Sequence, residues 1–424
     1  MKLLTISNLY PRPDQPQRGL FNLQMFAALA GKVDQVQNVC LVPEWRIWRW
    51  ATIRSWSDAG CEGLSTRYVP TFYVPIVGRN LSWLTYFLAL RTVADMISDC
   101  DAILVTWLYP DSVAVMKMAA RYNKPVWIKV HGSDTFHMVS PSRHGRILDA
   151  CKRAQGIISN SEVLQVRLVD AGVAKQKIRV VPNGVNTKRF CFRSKDGAVE
   201  ELQSRGAWPG TLDPEDRIVL FAGNLLPVKR PEILIHVLKE LESESKAPTF
   251  LIIGDGPLRA TLEQQVKESG VDGSVCFLGS RSHDEVALWM NVAECLCLIS
   301  RSEGMPNVVL ESLVSGLPVV STDVGDVRSF VNEGDNGCIV STDSDDLVNE
   351  FGKALSQVLS KTWNREEIAG KAGVCSWETA AERIVDEMGL GEWPQKGTKN
   401  RKKGGKNRHS ASLGPSREPR QAGG

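Results

Sequence analysis

The stretch Ser302-Glu303-Gly304-Met305-Pro306-Asn307-Val308-Val309-Leu310-Glu311, continued by Ser315-Gly316-Leu317-Pro318-Val319-Val320, decides how the rest of the chain is read. Gly304 and Pro306 mark a tight loop, and proline near a first helical position is a helix-start signal. From Asn307 the apolar spacing predicts a short amphipathic helix that stops at Gly316, and residues 317–322 then read as a buried strand. The helix N-terminus, with its free N–H groups, is thereby aimed out of a strand-and-helix layer, where an anion can sit. Glu303 lies before that terminus and Glu311 just inside it, and a helical path between them spans roughly 12 Å. That separation suits two carboxylates gripping sugar hydroxyls on either side of a diphosphate. A Glu pair at any chosen spacing is common by chance, so the spacing alone favours a helix with one exposed Glu at each end.

Working outward, short apolar runs alternate with helical-period stretches. Residues 3–7, 102–106, 126–130 and 156–159 read as strands, with helical patterns at 23–30, 84–97 and 112–121. The alternation restarts with strands at 218–222, 249–253, 275–278, 294–299, 318–321 and 338–340. This is the α/β signature of doubly wound parallel sheets, and it predicts two tandem Rossmann-like domains with a cleft between them. Residues 1–192 form the first domain, 193–216 a polar Gly- and Pro-punctuated linker, and 217–375 the second. A helix over 376–394 is expected to pack back on the first domain. The tail, 395–424, holds almost no apolar residue and reads as disordered.

The chain has 424 residues, 43% hydrophobic and 23% charged, enough for more than one packed core. Its formal net charge of +3 conceals a division. Nine Lys or Arg and one acid from Gln395 onward give that end +8, which leaves the body near −5. No broad basic field covers the body, which argues against nucleic acid as a partner. The ten cysteines are scattered without a CxxC pair, which suits reduced thiols in the cytoplasm. The start, Met1 to Ser7, reads as a first strand rather than a leader, and no run approaches the length of a membrane span.

His131-Gly132-Ser133-Asp134 follows the strand 126–130 directly, at the carboxyl edge where open α/β sheets place ligands, and Gly132 allows close backbone approach. Residues 221–230, Phe-Ala-Gly-Asn-Leu-Leu-Pro-Val-Lys-Arg, read as strand, loop and helix start, with Lys229 a phosphate clamp or a solvated surface lysine. Gly254-Asp255-Gly256-Pro257 lacks the third glycine of a dinucleotide fingerprint, since Arg259 stands there, and no GxSxG, Walker loop or HExxH occurs.

In this order, the segments His131–Asp134, Val181–Asn186, Gly223–Arg230, Gly254–Pro257 and Ser302–Val324 resemble the retaining glycosyltransferases of family 4, which have the GT-B fold. The resemblance covers roughly residues 1–390. It implies that Glu303 contacts the hexose of a UDP- or GDP-linked donor and Glu311 its ribose. The backbone of Gly304, Met305, Pro306, Asn307 and Val308 would hold hexose and diphosphate. Lys229 would neutralise the leaving diphosphate without a metal or other cofactor, His131 would line the catalytic centre, and Gly19 would lie beside the phosphates. The family usually carries Arg where this chain has Asn224, and Arg230 is expected to supply the missing charge. Gly325-Asp326-Val327-Arg328-Ser329 also departs from the family's usual glycine and Pro-Glu pattern.

The implied reaction is transfer to a glycan or lipid-linked acceptor in cell-surface polysaccharide synthesis, at the inner face of the cell membrane. Trp45, Trp48 and Trp50, interleaved with arginines, are the expected membrane contact, extended by Trp83, Tyr86 and Phe87. A sugar-nucleotide epimerase and a non-catalytic binding protein of the same fold are the competing readings.

Overall fold

The computed structural model describes residues 1–57, 64–73, 77–241 and 247–389, so the basic tail 395–424 and residues 390–394 of the expected last helix lie outside the described residues. The first domain is a seven-stranded parallel sheet. Its strands are β1 (Lys2–Ser7), β2 (Gln35–Pro43), β3 (Leu64–Thr71), β4 (Ala102–Thr106), β5 (Val126–Val130), β6 (Gly156–Ser159) and β7 (Ile178–Val180), in the order β3-β2-β1-β4-β5-β6-β7. The second sheet has β8 (Ile218–Ala222), β9 (Thr249–Ile253), β10 (Val275–Gly279), β11 (Cys295–Leu298), β12 (Val319–Thr322) and β13 (Gly337–Val340), ordered β10-β9-β8-β11-β12-β13. All pairings are parallel. Two Rossmann-like α/β domains in tandem are therefore present.

Central strands β4 and β5 are buried along their whole length and read as apolar runs, interrupted in β5 by Lys129, whose buried Nζ donates to Val181 O at 3.0 Å. Each sheet is covered on both faces by its own hydrophobic cluster. In each sheet the winding reverses beside its first strand, between β1 and β4 and between β8 and β11, and loops at such a point splay apart to leave a crevice. The two crevices face one another.

Three departures from the sequence reading have physical causes. β2, β3 and β7 are strands beyond those expected: β3 alternates exposed and buried residues at its start and β7 has only three residues, whereas β2 opens on polar Gln35, Gln37 and Asn38 before its buried run 39–42. Residues 193–216 are not a bare linker. Ser194 caps a helix over Lys195–Ser204 whose Ala198, Val199 and Leu202 are buried in the second domain's core. The single helix read over 84–97 is two, Ser82–Leu90 and Ala94–Asp99. At the other end, the helix Trp377–Glu387 crosses back to the first domain. There Ala380, Ala381 and Ile384 share a core with Leu3, Met25 and Phe26.

Candidate active site

The loops after β1, β4, β5, β8 and β11 converge between the domains and wall three connected lobes. The central lobe, of about 300 Å³, is lined by His131, Gly132, Lys229, Glu303, Gly304, Met305 and Asn307 together with Phe21, Trp107, Asn160 and Asn183. A larger lobe of about 870 Å³ runs along the second domain past Gly19, Asn224, Val308 and Glu311. A third, of about 540 Å³, lies wholly within the first domain.

The helix expected from the opening stretch spans Asn307–Val314, with Pro306 extended at its N-cap and Gly316 beyond its end at φ +72. Its first residues line both the central and the large lobe, so the helix N-terminus is presented to the cleft. Two glycines bring the domains together at this point. A Cβ on Gly132 would lie 2.3 Å from Gly304 Cα, and one on Gly304 would lie 2.5 Å from Gly132 Cα. Beside them Asp326 bridges the domains: its carboxylate accepts the Glu162 and Val163 N–H groups at 3.2 and 3.3 Å, at the start of the first domain's helix Glu162–Asp170. The unusual Gly325-Asp326 pair is thus part of the domain contact.

His131 is buried, its ring 4.7 Å from Phe21 and 6.5 Å from Trp107. Burial, with Lys129 nearby, pushes its pKa down to about 3, so it is neutral near pH 7. Its backbone N–H donates to Asp134 at 3.0 Å, which fixes the turn after β5. His131 Nε2, Asn160 Oδ1 and Asn183 Oδ1 are buried on this lobe without hydrogen-bond partners. Three orphaned polar atoms around a half-enclosed space fit a ligand rich in hydroxyls.

Lys229 and Glu303 meet across the lobe, Nζ donating to Oε1 at 2.5 Å, and Ser300 Oγ donates to the same oxygen at 2.7 Å. Met305 is buried against the Asn183 backbone, and Asn183 Nδ2 donates to Asn307 Oδ1 at 3.0 Å. Glu311 faces the large lobe, where burial pushes its carboxyl up to about 7. Gly19 sits at φ +63 as the N-cap of the helix Leu20–Ala30. A Cβ there would come 2.4 Å from Leu9 O, so the turn requires glycine.

Arg230 departs from expectation. It is 8% exposed, and its guanidinium turns inward to donate to Ile299 O at 2.9 Å and Ser300 O at 3.1 Å. A buried guanidinium spent on two carbonyls does not reach a diphosphate, so Arg230 does not replace the arginine missing at Asn224. The cations on the large lobe are instead Arg18 and Arg281, and Arg18 could have been suspected from its place beside Gly19. Trp107, also unforeseen, is held at φ 120 after β4, a strained setting for a non-glycine residue against His131. Among the described residues no three His, Cys, Asp or Glu side chains gather as metal ligands.

The tryptophan segment divides. Trp45 and Trp48 are 55% and 70% exposed, whereas Trp50 is half-buried with its indole N–H 3.3 Å from Glu44 O. On the helix Ser82–Leu90 the outward residues are Leu84 and Leu88, not Trp83, Tyr86 and Phe87, which pack on the core. No helix among the described residues is long and apolar enough to cross a membrane.

Residues 52–189 match the family described as Glycosyltransferase Family 4, and residues 216–361 match Glycosyl transferases group 1. The chain is 28% identical over 348 residues to the putative teichuronic acid biosynthesis glycosyltransferase TuaC of Bacillus subtilis, covering 78% of this chain and 83% of that protein. It is 30% identical over 185 residues to 2-deoxystreptamine glucosyltransferase of Streptomyces kanamyceticus, covering 43% of this chain and only 46% of that relative. Among solved structures, Anabaena Alr3699/HepE in complex with UDP-glucose aligns at TM-score 0.69 and 18% identity, covering 92% of this chain and all of the other. The lipopolysaccharide-biosynthesis glycosyltransferase WaaG aligns at TM-score 0.67 and 14% identity over 91% of this chain and 99% of that one. These likenesses show the GT-B arrangement of two facing Rossmann-like domains.

Proposed function

From a chain built of a Glycosyltransferase Family 4 domain followed by a group 1 glycosyltransferase domain, we propose an enzyme that moves a sugar from a nucleotide-diphosphate donor to an acceptor hydroxyl with retained anomeric configuration. The observation that carries this reading is the joining of Lys229, Glu303 and the Asn307 helix start around one lobe with three unpartnered polar atoms. The donor's sugar lies between His131 and Glu303, its diphosphate at the helix start beside Lys229, and its ribose against Glu311. UDP as the nucleotide is supported by the neighbours solved with UDP and UDP-glucose.

Breaking the bond from the anomeric carbon to the diphosphate oxygen builds charge on the leaving group. An ammonium and a helix N-terminus stabilise that charge in place, and the reading asks for no metal or other cofactor. The acceptor hydroxyl attacks from the face the diphosphate leaves, and its proton passes to the departing phosphate oxygen. His131, neutral and desolvated, serves as a hydrogen-bonding wall rather than as an acid. Incubating the full chain with a panel of radiolabelled UDP- and GDP-sugars, alone and with a membrane extract, tests the reading. Transfer with retained configuration by NMR is expected. An inverted product overturns the mechanism, and rearranged free donor without transfer overturns the activity.

For the acceptor's setting, the reading is a lipid-linked glycan at the cytoplasmic membrane face in polysaccharide synthesis, as the teichuronic acid and lipopolysaccharide relatives suggest. Exposed Trp45, Ile47 and Trp48 supply rings and aliphatic surface suited to headgroup depth. Flotation with anionic liposomes is expected to fall when Trp45 and Trp48 are both replaced by Ala, and unchanged flotation removes this patch from the reading.

A further inference from the structure

The third lobe has a chemistry that sugar transfer alone does not require. It opens off the same cleft, sharing Leu9 and Trp107 with the central lobe and Gln15 and Arg18 with the large one. Four arginines line it, Arg12, Arg18, Arg79 and Arg143, and no Asp or Glu is among its lining residues. Arg12 has Asp14 at 3.2 Å, but that carboxylate is shared with Arg49 at 3.3 Å. Among the described residues Arg18, Arg79 and Arg143 form no ion pair. Asp111, next to the lining residue Pro110, is fully buried and accepts from Asn8 Nδ2 at 2.9 Å; burial holds its carboxyl well above the usual range, and Arg18 is the one arginine whose charge it meets.

The guanidinium groups are also incompletely bonded. The Nε atoms of Arg18 and Arg143 are buried without hydrogen-bond partners, whereas Arg12 Nε faces Asp14. Arg143 reaches His137 Nδ1 at 2.8 Å, and burial with Arg143 and Arg79 close by pushes that imidazole down to about 4. The pocket therefore collects more arginine charge than Asp14 and the buried Asp111 balance, with Arg79 and Arg143 in no ion pair among the described residues. Like charges gathered in a partly desolvated pocket repel, and burial and Arg12 together already lower the pKa of Arg18. A single carboxylate would balance one of the four. A phosphate or diphosphate brings two or more charges and several acceptor oxygens matched to the guanidinium fork.

We propose that this cavity binds a phosphoryl group of the acceptor, held by Arg12, Arg79 and Arg143 while the acceptor's hydroxyl reaches the His131–Glu303 centre. The inference rests on the glycosyltransferase reading and narrows its acceptor to phosphate or diphosphate esters. A polyprenyl-phosphate carrier in a membrane and a soluble sugar phosphate both supply that chemistry.

The test is calorimetric titration of inorganic pyrophosphate into the full chain saturated with UDP, which occupies the donor site. Wild type is expected to bind. The double variant Arg79→Gln, Arg143→Gln is expected to bind at least about thirtyfold more weakly, as loss of two charge-assisted contacts implies. Its UDP affinity, read separately, should match wild type and so report an intact fold. Pyrophosphate that fails to bind, or binds the variant equally well, overturns the proposal while leaving UDP binding and transfer as the separate check on the enzyme. Parallel arms then compete pyrophosphate with glucose 6-phosphate in solution and with vesicles containing polyprenyl phosphate. Displacement by either supports the proposal and identifies the source, and displacement by neither overturns it.

Discussion

Lys229 Nζ donates to Glu303 Oε1 at 2.5 Å, so the cation assigned to the leaving diphosphate and the carboxylate assigned to the sugar hold one another in place. The pair is one unit rather than two independent grips, because Ser300 Oγ fixes the same carboxylate oxygen at 2.7 Å. Lys229→Met is expected to lower kcat about 10²- to 10³-fold by removing charge stabilisation of the leaving group. Glu303→Gln frees the ammonium, so UDP should bind more tightly while transfer falls. Steady-state kinetics and UDP titration on both singles and the double variant check this, and the two effects should not add.

Gly132→Ala probes the contact between domains. Its new Cβ would lie 2.3 Å from Gly304 Cα, and both domains keep their own cores, so the chain should fold with the cleft held ajar. UDP affinity is expected to stay within about twofold, since the nucleotide lobe belongs mainly to the second domain. Turnover should drop about 10²-fold, the order expected when reacting groups are displaced by about 1 Å. Equal losses in UDP affinity and turnover would contradict this account.

Glu311 carries a pH signature. Burial raises its carboxyl to about 7 in the folded chain from an ordinary 4.5. Between those values the unfolded chain releases the proton first, so this group's contribution to stability falls as pH rises through the interval. Glu311→Gln removes that decline. The ligand-free variant is expected to be more stable than wild type at pH 8, by on the order of 1 kcal/mol, and equal to it near pH 4.5. UDP affinity should rise with pH in wild type as the carboxylate forms and accepts ribose hydroxyls, with the rise missing in the variant. Denaturant melts and UDP titrations at pH 5 to 8 measure both.

Arg230→Ala separates structure from donor binding. The side chain serves the carbonyls of Ile299 and Ser300 from a left-handed residue at φ 48. Ser300 O keeps the Thr322 hydroxyl at 2.7 Å, so the loss falls mainly on Ile299 O and should cost about 1 to 3 kcal/mol of stability. The denaturation midpoint is expected to fall while UDP affinity of the folded fraction changes less than about threefold. A large loss of UDP affinity at unchanged stability would return Arg230 to the diphosphate.

Much of the site was legible because its backbone is local. Pro306, Gly316 and the apolar spacing between them suffice to place a helix over Asn307–Val314, and the run at 126–130 places His131 at a strand's end. Arg230 misled because a cation beside a phosphate-clamp lysine looks equivalent to it in sequence. Only the left-handed turn at that residue, which points the side chain into β11's outgoing loop, distinguishes the two. Trp83, Tyr86 and Phe87 misled similarly: aromatic spacing shows that a helix has an apolar face but not whether that face meets lipid or core.

The sequence by itself determined the two α/β domains, the cleft-facing helix start and the glutamates at its two sides, since each follows from periodicity and turn chemistry within about twenty residues. The tertiary structure alone decided which of these side chains share a space. Lys229 is bonded to Glu303 across 74 residues, Gly132 lies against Gly304, and Asp326 caps a helix of the opposite domain. The arginines at 12, 18, 79 and 143 form one pocket for the same reason. They stand on loops and helices of different crossovers, and the position at which a parallel sheet reverses its winding, not any spacing along the chain, brings them together.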